Sequence, residues 1–203
     1  MIDQSRLIEG MIVHVRGRKL WPSRMIRYML NIARRRELKH GETKLPDCWG
    51  NHDAILIRMC GSHSWYVGDA QPPFAKLTPL SDYEKWIGAG EIDVLWMWPK
   101  GAAKEDGQRA ALHWIIYING RPYDYAAYPR LILKCLFGDW MKRASGWTWA
   151  FFCTESVRES WLKATHRDPW AGNQTPTPYT TEKRVEDGHI EDWTEIVTSK
   201  EMR

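Results

Sequence analysis

The alternation of apolar and polar residues predicts several short strands in the first half of the chain. "LIEGMIVHV" is typical of a strand after a turn. "HDAILIR" and "SWYVGDA" are separated by residues that suit a tight turn, so together they predict a β-hairpin around Gly61-Ser62. "EIDVLWMWP" predicts another strand, which ends at Pro99. The prolines of "QPPFAKLTPL" favour a loop after the hairpin.

Helical spacing of apolar residues predicts the remaining elements. "WPSRMIRYMLNIARRRELKHG" carries one apolar stripe and predicts a helix. "SDYEKWIGAG" predicts a short helix with Ser81 as N-cap and Glu84 three residues later, as in a capping box. The first half of "RAALHWIIYING" favours a helix. Cys153 opens a further helix, in which Val157 and Trp161 share one face.

Length and composition indicate one globular domain followed by an extension. The chain has 203 residues, of which 43% are hydrophobic and 27% are charged, an ordinary globular mixture. Its 13 tryptophans predict a cleft or contact surface lined with indole rings. Residues 166–203 are rich in Thr, Pro and acidic residues, so we expect them to wrap around the domain or to be partly mobile.

The distribution of charge and the start of the chain bear on partners and compartment. Residues 1–44 are basic and residues 182–203 are acidic, so the two ends attract each other or the basic end faces an anionic partner. The chain shows neither a leader sequence nor a long apolar run. We therefore expect a cytoplasmic protein with free thiols, or one released by a route without a signal peptide.

Cys153 is the first candidate for chemistry, because it lies where an apolar run meets a predicted helix start. Only the thiolate of a cysteine is a good nucleophile, and a helix N-terminus and a nearby imidazole both favour the thiolate. A carboxylate or amide is then needed to orient the imidazole. A lone cysteine is more often an inert core residue, so spacing alone leaves both interpretations open.

The predicted hairpin supplies the imidazole and the carboxylate. With a two-residue turn, Ala54 lies opposite Asp69, which places His52 and Asp69 on the same face as diagonal neighbours. Asp53 points to the opposite face from His52, so Asp69 is the expected orienting group. His14 has no partner at a recognisable spacing.

Several segments resemble, in order, the circularly permuted NlpC-type papain-like cysteine hydrolases. The similarity is to the YiiX-like branch, which is related to lecithin–retinol acyltransferase, and it extends over residues 7–162. In these proteins the histidine precedes the cysteine, as it does here. The segments that carry the resemblance are "LIEGMIVHVRG", "LWPSRMIRYML", "NHDAILI", "YVGDAQPPFAKLTPLSDY", "GRPYDYAAY" and "FFCTESV".

The resemblance implies an α+β, papain-like domain over residues 1–165, with an antiparallel sheet packed on helices. It implies a cysteine hydrolase that attacks a peptide, isopeptide or lipid-acyl substrate through an acyl-enzyme. Neither a cofactor, nor a metal, nor a nucleic-acid partner is expected. The implied catalytic residues are Cys153 as nucleophile, His52 as base and Asp69 as orienting acid, and the implied substrate-binding residues are Tyr123, Asp124 and Thr154.

The sequence departs from the family pattern at four positions. Met11 replaces the usual Asp, Asp69 stands where Glu is common, Thr154 replaces Ser, and Asp53 replaces a small or apolar residue. The last two departures flank the predicted nucleophile and base.

Two binding functions compete with catalysis. Cys48, His52, Cys60 and His63 are chemically suited to a tetrahedral zinc site. The basic N-terminal region, with three consecutive arginines at 34–36, could instead contact phosphates or anionic lipid. A protein that keeps the fold for binding without catalysis is a further alternative.

Overall fold

The computed structural model describes residues 2–18, 27, 28, 31, 49–59, 61, 64–124, 152–171 and 176–198. Most of the helix predicted from "WPSRMIRYMLNIARRRELKHG" lies outside these residues, as do the three consecutive arginines. Cys48, Cys60, His63 and Cys135 also lie outside them. The predictions that depend on those positions therefore stay predictions.

Six strands form one antiparallel sheet in the order β4-β3-β2-β1-β5-β6. The strands predicted on either side of the hairpin turn and before Pro99 are present. Strand β2 lies between β1, the first strand of the chain, and β3, its partner in the hairpin. The strands are β1 (Ile12–Gly17), β2 (His52–Arg58), β3 (Trp65–Ala70), β4 (Ala75–Pro79), β5 (Ile92–Pro99) and β6 (Ile190–Asp192).

Five α-helices and a short 3₁₀ helix accompany the sheet in the described part of the chain. This mixture, together with the antiparallel sheet, confirms the α+β class. The helices predicted to begin at Cys153 and within "RAALHWIIYING" are both present. The helices are α1 (Leu80–Gly88), α2 (Lys104–Tyr117), α3 (Cys153–Thr165), α4 (Pro178–Glu186) and α5 (Thr194–Thr198), and the 3₁₀ helix is Gln4–Arg6.

The main core lies between β2 and the helix pair α2 and α3, which pack against each other and against this strand. Trp114 of α2 is fully buried over Gly68 of β3, where an added Cβ would lie 2.9 Å from the indole ring. Trp161 of α3 is also fully buried, and its indole N–H donates to the Gly10 carbonyl. Large apolar rings thus hold α3 against the sheet, which fixes where the helix can begin.

Two local predictions were wrong. "QPPFAKLTPL" is not only a loop, because Ala75 to Pro79 form the edge strand β4. An edge strand tolerates a proline, since one side of its backbone needs no partner. The short helix α1 begins two residues earlier than predicted, with Pro79 in place of Ser81 as its N-cap and no side-chain cap. Ser81 therefore lies inside the helix and forms no capping box with Glu84.

The C-terminal segment contributes structure to both the sheet and the site described below. β6 pairs with β5 and closes that side of the sheet. Helix α4 brings Thr181 and Glu182 to the end of β2. Among the described residues, none of the helices has the length and apolar character required to cross a membrane.

Candidate functional site

The β2–β3 hairpin brings His52 to Asp69. The strands pair Ile55 with Gly68 and Leu56 with Val67, which is the register that the parity argument requires. The Nε2 atom of His52 lies 2.9 Å from Oδ1 of Asp69. Asp69 is fully buried, whereas the side chain of His52 keeps 15% of its surface exposed. The histidine can therefore be reached from solvent while the carboxylate that holds it cannot.

Tyr83 of α1 fixes the carboxylate of Asp69 from the other side. Its hydroxyl donates to the same Oδ1 atom at 2.7 Å. Burial, and then the charge and hydrogen bond of Asp69, raise the pKa of Tyr83 well above its ordinary value, so the hydroxyl is a neutral donor. Oδ2 of Asp69 is buried and has no partner among the described residues. The sequence signal for this contact was the terminal Tyr of "LSDY", whose role the resemblance did not specify.

Cys153 lies at the first position of α3. The N-cap residue Phe152 supplies no side-chain hydrogen bond, so no side-chain cap satisfies the first backbone N–H groups of this helix. Cys153 is 6% exposed, and it lies near enough to His52 to contribute to raising the pKa of the imidazole. Its sulfur lies 3.8 Å from the hydroxyl of Thr154. The structure thus places the candidate nucleophile near the imidazole that Asp69 holds.

The protonated form of His52 is favoured in this group. Burial lowers the pKa of the imidazole, but the hydrogen bond to Asp69 and the nearby Cys153 raise it to about 10. At neutral pH His52 is therefore an imidazolium that donates to Asp69. An imidazolium beside a cysteine is the arrangement that favours a thiolate–imidazolium pair.

A second polar network, which the sequence did not predict, lies directly beside the first. His14 is not without a partner: its Nδ1 donates to Oδ1 of Asp53, and its Nε2 lies 3.3 Å from Oε1 of Glu182. The other oxygen of Asp53 accepts hydrogen bonds from Thr154 at 2.6 Å and from Thr181 at 2.8 Å. Glu182 lies 168 residues from His14, so no local pattern could have revealed the contact.

The charges of this network are mutually supporting. Burial lowers the pKa of His14, but the charge of Asp53 and the hydrogen bonds with both carboxylates raise it to about 9. Burial raises the pKa values of Asp53 and Glu182, but His14 outweighs it and lowers both. Glu182 also accepts from the backbone N–H groups of Trp49 and Gly50. The network therefore holds a buried imidazolium between two carboxylates.

The three residues predicted to bind substrate, Tyr123, Asp124 and Thr154, are all buried in the structure. Thr154 is fully buried, and its hydroxyl donates to Asp53, so that hydroxyl is committed to the fold and not to a substrate. Tyr123 and Asp124 are also buried, and the backbone N–H of Tyr123 donates to Pro73. The substrate-binding role of Tyr123 and Asp124 stays a prediction.

The described residues do not fit a metal centre. No group of three or more His, Cys, Asp or Glu side chains among them is arranged to hold an ion. Both ring nitrogens of His14 are already in hydrogen bonds with carboxylates, and Nε2 of His52 is bonded to Asp69. Of the predicted zinc ligands, only His52 is described, so the zinc site as a whole stays a prediction.

Comparisons with known proteins show a likeness at the level of the fold. No family model matches the chain, and no curated protein matches it. The chain is similar to the crystal structure of the metalloprotein YiiX from Escherichia coli O157:H7, a DUF1105 protein, with a TM-score of 0.50 and 16% sequence identity. The likeness covers 89% of this chain and 82% of the other. It supports a distant relation to YiiX in fold.

Proposed function

We propose that this protein is a cysteine-dependent hydrolase of papain-like fold, related to the permuted NlpC-type enzymes. The observation that carries the proposal is that Cys153, at the start of a helix, lies near an imidazole, His52, which a buried carboxylate, Asp69, holds at 2.9 Å. The distant fold likeness to YiiX agrees with the branch that the sequence motifs indicate and bears on the fold alone. The combination of geometry and motif order favours catalysis over an inert core cysteine.

The chemistry of the group follows from its protonation. The thiolate of Cys153 attacks the carbonyl carbon of an amide or ester, forming a C–S bond. The C–N or C–O bond of the substrate breaks as the imidazolium of His52 gives its proton to the leaving amine or alcohol. Neutral His52 then takes a proton from water, which attacks the thioester. The acid product leaves, and the thiolate–imidazolium pair is restored.

The start of α3 is suited to hold the negative charge that develops on the carbonyl oxygen. The first N–H groups of a helix have no partner within the helix, and the helix dipole adds positive potential there. Phe152 cannot accept a hydrogen bond with its side chain, and none caps this end. The backbone N–H of Cys153 is therefore the proposed first donor to the oxyanion.

The substrate class is an amide or an ester with an acyl group small or extended enough to reach Cys153, a residue that is 6% exposed. Peptide, isopeptide and lipid-acyl bonds all meet this condition. A second acceptor in place of water would convert the same acyl-enzyme into a transferase. Hydrolysis is the simpler proposal, since water needs no second binding site.

The first test is the pH dependence of iodoacetamide alkylation, resolved for each cysteine by mass spectrometry, in wild type and in His52→Ala. We expect Cys153 of the wild type to react at about pH 6, where an ordinary thiol is mostly protonated. His52→Ala should lose this low-pH reaction, because the stabilising imidazolium is gone. Alkylation of Cys153 at the rate of an ordinary thiol in both proteins would reject the hydrolase proposal.

A further inference from the structure

The second network touches the nucleophile helix at the residue that follows the nucleophile. Oδ2 of Asp53 accepts from the hydroxyl of Thr154 at 2.6 Å, while Oδ1 is held by His14. Asp53, His14 and Thr154 are all fully buried. Nothing in the proposed reaction uses these side chains. Removing a carboxylate from water costs free energy, and apolar residues of similar volume often stabilise a fold equally well. Stability alone therefore does not account for this network.

The strand and the helix are joined at two consecutive positions. His52 of β2 lies near Cys153 of α3, and the next residue of the strand, Asp53, is hydrogen-bonded to the next residue of the helix, Thr154. Adjacent Cα atoms are separated by a fixed distance of about 3.8 Å. A displacement of the Asp53–Thr154 link is therefore passed on directly to the His52–Cys153 pair.

The carboxylate of Asp53 is well suited to fix a position. One oxygen accepts from His14, and the other accepts from Thr154 and Thr181, three side-chain donors in all. Glu182, the residue after Thr181, approaches His14 from the other side. A fully satisfied buried network has one low-energy arrangement, and so it specifies geometry as well as adding stability.

We propose that Asp53, held by His14, is a positioning residue that sets the distance between Cys153 and His52 through the hydroxyl of Thr154. This inference rests on the proposed hydrolase function. It assigns a purpose to two of the positions at which the sequence departs from the family pattern. Asp53 and Thr154 act as a matched pair, in which the acid supplies the acceptor and the threonine supplies the donor on the nucleophile helix.

The test compares Thr154→Val, which removes the hydroxyl at nearly constant shape, with Thr154→Ser, which keeps it. The readout is the rate of alkylation of Cys153 by iodoacetamide as a function of pH, with thermal unfolding measured in parallel. We expect Thr154→Val to lower the low-pH rate by at least about 10-fold, since small misplacements of reacting groups have large effects on rate. Thr154→Ser should stay within about 2-fold of the wild type on the same argument.

Thr165→Val is the matched control. Thr165 lies at the other end of α3, and its hydroxyl donates to the Trp161 carbonyl at 2.6 Å, the same length as the Thr154–Asp53 bond. Thr165→Val therefore removes a threonine hydroxyl from the same helix, but at the end that is far from the nucleophile. We expect thermal stability to fall and the alkylation profile of Cys153 to stay unchanged.

The outcomes separate this inference from the proposed function. If His52→Ala slows alkylation but Thr154→Val does not, the hydrolase proposal stands and the positioning role is wrong. If His52→Ala has no effect, the hydrolase proposal fails and the inference fails with it. Should Thr154→Val not fold, Thr154→Ala takes its place. Failure of both to fold would also overturn the inference, because the bond would then serve stability and not alignment.

Discussion

His52 and Asp53 are consecutive residues of β2, yet their side chains join two separate hydrogen-bond networks. His52 bonds Asp69, whereas Asp53 bonds His14 and Thr154. Consecutive side chains of a strand point to opposite faces, so each network can be altered by mutation without removing a side chain of the other. The predictions below use this separation.

Cys153→Ala should abolish formation of a covalent acyl-enzyme. The wild type, mixed with an activated ester such as p-nitrophenyl acetate, should gain the mass of one acetyl group at Cys153, because the thiolate attacks before water does. Intact-protein and peptide mass spectrometry measure this. Cys135→Ala is the control and should keep the adduct. An adduct that persists in Cys153→Ala would assign the nucleophile elsewhere.

Asp69→Asn should lower the pKa of His52, because the amide keeps the shape of the carboxylate and removes its charge. The rate of ester hydrolysis at neutral pH should fall by up to about 10⁴-fold, as expected when the orienting acid of a triad is neutralised. Histidine ring signals in NMR titrations report the pKa, and initial rates report hydrolysis. Asp82→Asn, an exposed partner of Lys85 on α1, is the control and should change neither quantity.

The free energy of unfolding should fall as the pH is raised from about 7 to about 10. The folded-state pKa values of His14 and His52 are raised to about 9 and about 10, so both histidines bind protons more tightly in the folded protein. Their stabilising contribution is complete below the unfolded value of about 6.5 and is lost as the pH passes through the folded values. The loss should be on the order of a few kcal/mol.

Urea unfolding at a series of pH values measures this slope. His14→Gln should flatten it, because the variant has one fewer group that releases a proton in that range. His113→Gln is the control. Burial lowers the pKa of His113, so the contribution of this residue to the free energy of unfolding changes below neutral pH, and the slope from pH 7 to pH 10 should stay as in the wild type. A wild-type stability that is constant from pH 7 to pH 10 would contradict the charge assignment of both networks.

Gly50→Ala should destabilise the protein by about 1 to 3 kcal/mol, the usual cost of an overpacked site. A Cβ at Gly50 would lie 2.1 Å from Nε2 of His14. The ring cannot retreat without loss, because both of its nitrogens are bonded. Gly88→Ala, where nothing lies within 4 Å of the added Cβ, should be neutral or slightly stabilising. Chemical denaturation of the two variants compares them, and equal stabilities would show that the His14 pocket adapts.

The parts of the site that could be predicted from sequence depend on local rules. The pairing of His52 with Asp69 follows from the two-residue periodicity of strands and a short turn. The helix that begins at Cys153 follows from its apolar spacing. Both predictions use residues that are close along the chain or within one hairpin, where geometry is nearly independent of the rest of the fold.

The remaining parts could not be predicted, because they depend on tertiary packing. His14 finds its partners on β2 and on α4, which no spacing rule connects. Tyr83 reaches Asp69 only because β4 returns the chain along β3 before the helix that carries Tyr83 begins. The prolines of this segment predict a loop, so the sequence did not indicate β4. The helix start at Pro79 differs from the expected cap at Ser81 because the strand runs directly into the helix.

The bond between His14 and Glu182 joins β1 to a helix near the other end of the chain. During synthesis, His14 leaves the ribosome long before Glu182 has been added. Until Glu182 has been added, the imidazole of His14 lacks one of the two carboxylates that it contacts in the folded protein. A chain interrupted before Glu182 would therefore lack this part of the second network.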